Sequence, residues 1–301
     1  MPDPACLFRM SRNQTSPDQR RLQELRRRSA PDGSGKTGGG SSHRAARSLP
    51  ENFSSCASWV PKKGNKTAEY EDAFCLPTRA GAARKCVRFA VADGATEASY
   101  SRIWATQLVR AFVRGRIPLP LELAPLRTIQ KHWARMVHRQ PLPWYAEEKA
   151  RSGAFSSLIG IEFTSESPPG GRWQATAVGD SCLVHIRDNQ LIAAFPLNDS
   201  SLFGSRVTLI SSDPGNNHDV PAEIRETAGT WNPGDTFFLM TDAVAAWFFK
   251  QVEQGIRPWI DLNRFGHPAM AGAFPEWVDE LRGAGQMKND DVTVVRIQAT
   301  E

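Results

Sequence analysis

A chain of 301 residues with 40% hydrophobic content has the apolar surface for one large domain or two small ones, which excludes a wholly disordered protein. Its formal charge of +5 is unevenly spread: residues 1–50 hold 10 Lys and Arg against 4 Asp and Glu, leaving 27 against 28 in residues 51–301. The basicity belongs to the first segment, so nucleic-acid binding by the remainder loses its main electrostatic support.

The five cysteines (Cys6, Cys56, Cys75, Cys86 and Cys182) are odd in number, widely spaced and without a CxxC pair, which predicts reduced thiols and a cytoplasmic location. No stretch approaches the roughly 20 apolar residues of a membrane span, and the start lacks the apolar core of a secretory signal.

Residues 1–50 read as a disordered basic tail rich in Arg, Ser and Gly, with Gly33–Ser42 too poor in apolar side chains to fold alone. Its Gly35-Lys36-Thr37 lacks the earlier glycine and the preceding strand of a phosphate-binding loop. The run Arg20–Arg28 reads as a solvated charge run or a short basic helix, and the Arg and Ser bias also fits an organellar transit peptide.

Residues 51–301 form the predicted folded domain, of mixed α and β character. Arg88–Ala92 is a buried strand ending at Asp93-Gly94, and Tyr100–Val113 a helix with Tyr100, Ile103, Trp104, Leu108, Ala111 and Phe112 on its apolar face. A second helix is predicted over about Leu121–Val137, facing inward through Leu126, Ile129, Trp133 and Met136, and both helices are expected to pack on sheet. Strands follow at Phe155–Phe163, Trp173–Val178, Cys182–Ile186, Leu191–Phe195 and Val207–Ile210. Asn232-Pro233-Gly234-Asp235 turns into a strand over Thr236–Met240, which leads through Thr241-Asp242 into a helix, and the last strand is Val292–Ile297. Strands joined by short turns pair antiparallel, so the predicted fold is α+β, an antiparallel β-sandwich flanked by helices.

Four places set carboxylates beside an apolar strand or a sharp turn: Glu71-Asp72, Asp93-Gly94, Asp242 and Asp290-Asp291. Each alone reads as a helix cap or turn acid. Brought together, the four like charges of Glu71, Asp93, Asp242 and Asp290 would repel unless protonated or neutralised, and two divalent cations would balance them. All-oxygen ligation suits Mg²⁺ or Mn²⁺, and Gly94 lets its own carbonyl approach an ion.

The segments EDAF (Glu71–Phe74), FAVADGATEAS (Phe89–Ser99), AVGDS (Ala177–Ser181), FFLMTDAVAAW (Phe237–Trp247) and NDDVTVV (Asn289–Val295) occur in the order of the motifs of metal-dependent serine/threonine phosphatases of type 2C, the PPM family, which residues 52–298 resemble. The resemblance implies a central sandwich flanked by helix pairs with two Mg²⁺ or Mn²⁺ ions at one end. By position, Asp93 is the bridging ligand, Glu71 and the Gly94 carbonyl serve one ion, and Asp242 and Asp290 the other. Asp72 matches the acid that orients the attacking water, Asp291 supports the ligands, and Asp180 falls in a structural turn. The implied substrate is a phosphorylated protein, and an opposing cognate kinase is its natural partner.

The sequence departs from the family pattern in three places. Ala95 stands where many members have a His serving as acid for the leaving group, with Glu97 the nearest alternative. No Arg precedes Glu71-Asp72, so Lys66 is the candidate for gripping phosphate, and Ala243 replaces the usual Gly after Asp242. Two other readings stay open: a catalytically weak binding or regulatory module on the same fold, and a metallohydrolase of nucleotides or small phosphate esters.

Overall fold

A computed structural model of the chain describes residues 52–77, 86–95, 100–139, 150, 152–167, 170–204, 207–267 and 269–300. The chain divides into the units Met1–Arg47 and Ser48–Glu301, and all described residues lie in the second. The predicted basic tail and Glu97 lie outside the described residues.

Two five-stranded antiparallel sheets form a sandwich. The first has the order β1 (Phe53–Val60), β12 (Val292–Ala299), β11 (Thr236–Met240), β7 (Cys182–Arg187), β8 (Gln190–Phe195). The second has the order β10 (Arg225–Trp231), β6 (Gly170–Val178), β5 (Leu158–Ser167), β3 (Cys86–Ala92), β2 (Ala73–Cys75). A small ribbon pairs β4 (Phe155–Ser156) with β9 (Ile210–Ser211). The predicted α+β sandwich is therefore the observed architecture.

The period of two along each strand decides which layer its side chains join. In β11, Phe237 and Leu239 point into the core between the sheets, while Phe238 and Met240 point to the outer face. That outer face is covered by α4 (Asp242–Glu253), α5 (Trp259–Arg264) and α6 (Phe274–Gly283). A strand covered on both faces has no polar side, which is why the sequence TFFLM is wholly buried. Truncating Phe237 to Ala would cost about 3–5 kcal/mol by this burial.

On the other sheet, Val87, Phe89 and Val91 of β3 face the inter-sheet core, leaving the small Ala90 and Ala92 under the helix α1 (Ser101–Val113). A Cβ at Gly160 of β5 would lie 2.5 Å from the Phe112 ring, so glycine there lets α1 lie flat on the sheet. The helix α2 (Leu126–Val137) takes α1 as its main partner instead of packing directly on the sheet, and α3 (Val220–Glu223) is a single turn.

Several sequence expectations need correction. The second helix begins at Leu126, after a Pro-containing loop, and Met136 is 42% exposed while Val137 turns inward. Tyr100 takes a left-handed backbone ahead of α1, and it and Ile103 are only half-buried. Phe155–Phe163 is broken between β4 and β5, and of the Val207–Ile210 segment only Ile210 is strand, where it opens β9. The four described cysteines are free, and no helix among the described residues is long and apolar enough to cross a membrane.

Candidate metal centre

Strand register gathers the acids at one end of the sandwich. Ala73 of β2 pairs with Ala92 of β3, so Asp72 and Asp93 flank the same end of that hairpin. Met240 of β11 pairs with both Val294 of β12 and Cys182 of β7. Asp242, Asp290 and Asp180, each beyond these pairs, therefore emerge at one end of the central strands of the other sheet.

Asp72 joins the two sheets. Its carboxyl is 2% exposed, and its Oδ2 accepts hydrogen bonds from Thr241 Oγ1 at 3.0 Å and Thr293 Oγ1 at 2.6 Å. The Tyr70 hydroxyl donates to Thr293 Oγ1, completing a relay of donors toward one oxygen. The other oxygen, Oδ1, is buried without a donor. Burial raises the Asp72 pKa well above the carboxylate range, and the charges of Asp291 and Asp242 add to this against the Thr293 hydrogen bond.

Asp93 responds in the same direction, first from burial and then from the charges of Asp72 and Asp242. Its backbone is held by Ser157 Oγ, which accepts from Asp93 N at 3.0 Å, and by Ser156 Oγ, which donates to its carbonyl at 2.8 Å. Ser157 Oγ also bonds Ser181 Oγ at 2.7 Å, tying the Asp93 turn to the turn that carries Asp180. Ser156 and Ser157 carry no motif of their own in the sequence, yet with Ser181 they fix where two acids stand.

Gly94 explains its own identity. A Cβ there would meet Glu71 O at 2.7 Å and the Ser101 backbone carbon at 3.1 Å. The Glu71 backbone and the Asp93-Gly94 turn are thus in close contact, while Glu71 Oε1 accepts a hydrogen bond from Ser101 Oγ at 2.5 Å. Asp291 acts on the same loop from the other sheet: its Oδ2 accepts from Glu71 N and its Oδ1 from Lys62 N, each at 2.6 Å.

Asp242 is the first residue of α4, with Thr241 at the N-cap, and its Oδ1 accepts from Ala243 N at 2.6 Å. Burial raises its pKa, opposed by Lys288 and reinforced by Asp290. Asp290 Oδ1 accepts from Asp291 N at 3.1 Å, and its carbonyl is gripped by Arg282 Nη2 at 2.5 Å.

Two members of this cluster were not selected as site residues by sequence. Asp180, expected to be a turn acid, does follow the turn at Gly179 (φ +98°), but its carboxyl joins the cluster: burial and the Asp242 charge push its pKa up to about 6. Its position two residues before a strand, as with Asp290, was the available signal. Lys288 lies between Asp290 and Asp242, 2.7 Å and 3.5 Å from their Oδ2 atoms. Lys66, by contrast, is exposed, with its backbone N–H closed onto Glu69 Oε2 at 2.6 Å. The guanidinium beside this loop is Arg102, which donates to Thr67 O at 3.0 Å and lies over the Tyr70 ring.

An all-oxygen set with a donorless buried carboxylate oxygen fits hard divalent cations in chemistry. Among the described residues, no three His, Cys, Asp or Glu side chains stand close enough to hold an ion without movement.

The family model "Protein phosphatase 2C" matches residues 65–281. No curated protein matches the sequence. Among solved structures, the Mycobacterium tuberculosis serine/threonine phosphatase PstP/Ppp is 18% identical with a TM-score of 0.52, covering 83% of this chain and 99% of that one. The catalytic domain of PstP in complex with two manganese ions is 19% identical with a TM-score of 0.48, covering 83% and 99%. PppA of Pseudomonas aeruginosa is 20% identical with a TM-score of 0.46, covering 82% and 97%. The likeness to PstP/Ppp at these identities supports the fold, and the family match spans well over half of the sequence: the chain belongs to the protein phosphatase 2C family.

Proposed function

We propose that the chain is a metal-dependent phosphoprotein phosphatase that hydrolyses phosphoserine and phosphothreonine. The observation that carries the reading is the meeting of Asp72, Asp93, Asp180, Asp242 and Asp290 at one end of the sandwich, where burial and neighbouring charges raise the pKa of the first four. Glu71 and the Gly94 carbonyl would hold one Mg²⁺ or Mn²⁺, Asp242 and Asp290 a second, with Asp93 serving both. What such a pair supplies when bound is Lewis acidity toward phosphoryl oxygens and a water of lowered pKa.

The protein's own contribution is positioning. Asp72 has one oxygen committed to two threonine hydroxyls, which leaves Oδ1 to accept a proton from the attacking water. No protein nucleophile is needed, so the reaction is direct displacement at phosphorus, yielding phosphate and a free hydroxyl. Lys66 remains the sequence candidate for the phosphate, with Arg102 of α1 reaching the same loop. The basic segment 1–50 is proposed to be a separable tail, and the protein to work on phosphoproteins opposite a cognate kinase in the cytoplasm.

A second reading has support in two features. Ala95 offers no acid for the leaving group, and Lys288 neutralises part of the cluster, as in a weakly catalytic module that recognises phosphorylated partners. Hydrolysis of an aryl phosphate with Mn²⁺, compared with Asp93→Asn and Asp242→Ala, decides between them. A metal-dependent rate lost in both variants supports the enzyme; a rate equal to theirs favours the binder. Faster turnover of nucleotides than of phosphopeptides would replace the protein substrate with a small one.

A further inference from the structure

The carboxylates of Asp242 and Asp290 each have one oxygen already committed to the backbone. Asp242 Oδ1 accepts from Ala243 N, and Asp290 Oδ1 from Asp291 N. Their remaining oxygens, both Oδ2, converge on the Lys288 ammonium at 3.5 Å and 2.7 Å. Lys288 and Asp290 lie two residues apart in the loop between α6 and β12, whereas Asp242 opens α4, so the Lys288–Asp242 contact is made by the fold and not by local spacing.

The backbone under Lys288 is held by its neighbours while its side chain is largely exposed. Met287 beside it is buried, and Asp290 N closes back onto Lys288 O at 3.1 Å. The Lys288 side chain is 67% exposed, against 18% and 22% for Asp242 and Asp290. An ammonium on a flexible four-carbon stem can leave for water at little cost, whereas the carboxylates stay where the strands put them.

We propose that Lys288 is a tethered counter-cation which holds Asp242 Oδ2 and Asp290 Oδ2 and must release both before a divalent ion can take them. Lys288 thereby sets the divalent-ion concentration at which this half of the centre fills. The inference rests on the metal-centre reading above and adds to it a residue that opposes loading. A hard cation at Asp242 and Asp290 needs the same oxygen lone pairs that the ammonium uses, so occupancy is exclusive. Loading then exchanges one positive charge for two, and removing the lysine charge favours the ion.

Calorimetric titration of the full chain with Mn²⁺ alone, on wild type, Lys288→Met, Lys288→Arg and Asp242→Asn, tests this. Two unit charges about 4 Å apart in a water-like medium change an equilibrium constant about fivefold, and Mn²⁺ carries two, so Lys288→Met is expected to bind Mn²⁺ at least about fivefold more tightly. Lys288→Arg, which keeps the charge, is expected to stay near wild type, and Asp242→Asn to lose the affected binding step. Without divalent ions, Lys288→Met is expected to melt below wild type, because two carboxylates lose their counter-charge. Equal or weaker Mn²⁺ binding by Lys288→Met, alongside normal binding by wild type, overturns the inference and leaves the metal centre standing. Absence of Mn²⁺ binding in every protein overturns both.

Discussion

Thr293 Oγ1 donates to Asp72 Oδ2 across the sandwich at 2.6 Å, linking the β12 strand of one sheet to the residue that opens β2 in the other. The bond fixes the spacing of the two sheets at the end where the acids collect. Thr293→Val keeps the shape and removes the donor, leaving Asp72 Oδ2 with Thr241 alone and the Tyr70 hydroxyl without its acceptor. The expected stability loss is about 1–3 kcal/mol, read by urea denaturation. Because the bond orients Asp72, kcat is expected to fall about tenfold with KM little changed, and Thr293→Ser to restore it.

The acids also set how the metal-free protein responds to pH. Asp72, Asp93, Asp180 and Asp242 all hold their protons more tightly folded than unfolded, Asp180 with a folded value of about 6 against an ordinary 3.8. Between those values the folded state binds more protons, so this contribution to stability is lost as pH rises from about 4 to 6. Asp235 has the opposite sign. Burial pushes it up, but hydrogen bonds from Arg187, His185 and the Asn232 N–H outweigh that and leave it at about 2. Its contribution is present above about 4 and lost as pH falls toward 2. In a chelator, the melting temperature is expected to be higher at pH 5 than at pH 7.5. Asp180→Asn is expected to reduce that difference, and Asp235→Asn to lower stability at neutral pH. Calorimetric scans across pH 3–8 check all three, and a flat profile between pH 5 and 7.5 would place the clustered acids in an ordinary environment.

Gly94 offers a more local test. Its missing side chain is required by the Glu71 carbonyl, and backbone cannot yield as a flexible side chain does. Gly94→Ala is expected to part the Glu71 loop from the Asp93 turn, weakening Mn²⁺ binding about tenfold or more, by analogy with lost supporting contacts at metal sites. Gly272→Ala, with open space around the position, is the neutral control. Unchanged Mn²⁺ affinity in Gly94→Ala would remove the Gly94 carbonyl from the proposed ligand set.

What could be read from sequence follows from period and punctuation. The runs around Phe89, Phe163 and Phe237 are dense in apolar side chains because their strands are covered, and the turn at Asp188-Asn189, with φ of +50° and +57°, has the residues such a turn requires. The three-residue β2 and the polar edge strand β10 have too little period to stand out, and their pairing comes from longer neighbours. Met136 was placed inward by helical spacing, but α2 packs chiefly on α1, and that narrower contact selects Val137. At the site, Glu71, Asp72, Asp93, Asp242 and Asp290 were legible as motif acids. Asp180 and Lys288 were not selected, because their significance depends on which strands are neighbours, and that is a property of register.

The same dependence on neighbours bears on phosphate binding. Lys66 precedes Glu71 in sequence, yet it faces solvent at the start of a short turn. Arg102 reaches that turn from α1, beside Ser101, whose hydroxyl holds Glu71. A guanidinium offers two parallel donors to a phosphate, which an ammonium does not. Arg102→Ala is therefore expected to raise KM for a phosphopeptide about tenfold while kcat changes by less than about threefold, and Arg102→Lys to recover part of it. Lys66→Ala is expected to move KM by about twofold or less, as a surface charge. Melting temperatures separate binding from folding: an Arg102→Ala protein that melts much earlier with unchanged KM would make the arginine a brace for the Thr67 turn. A larger KM effect from Lys66→Ala would return the phosphate contact to the lysine.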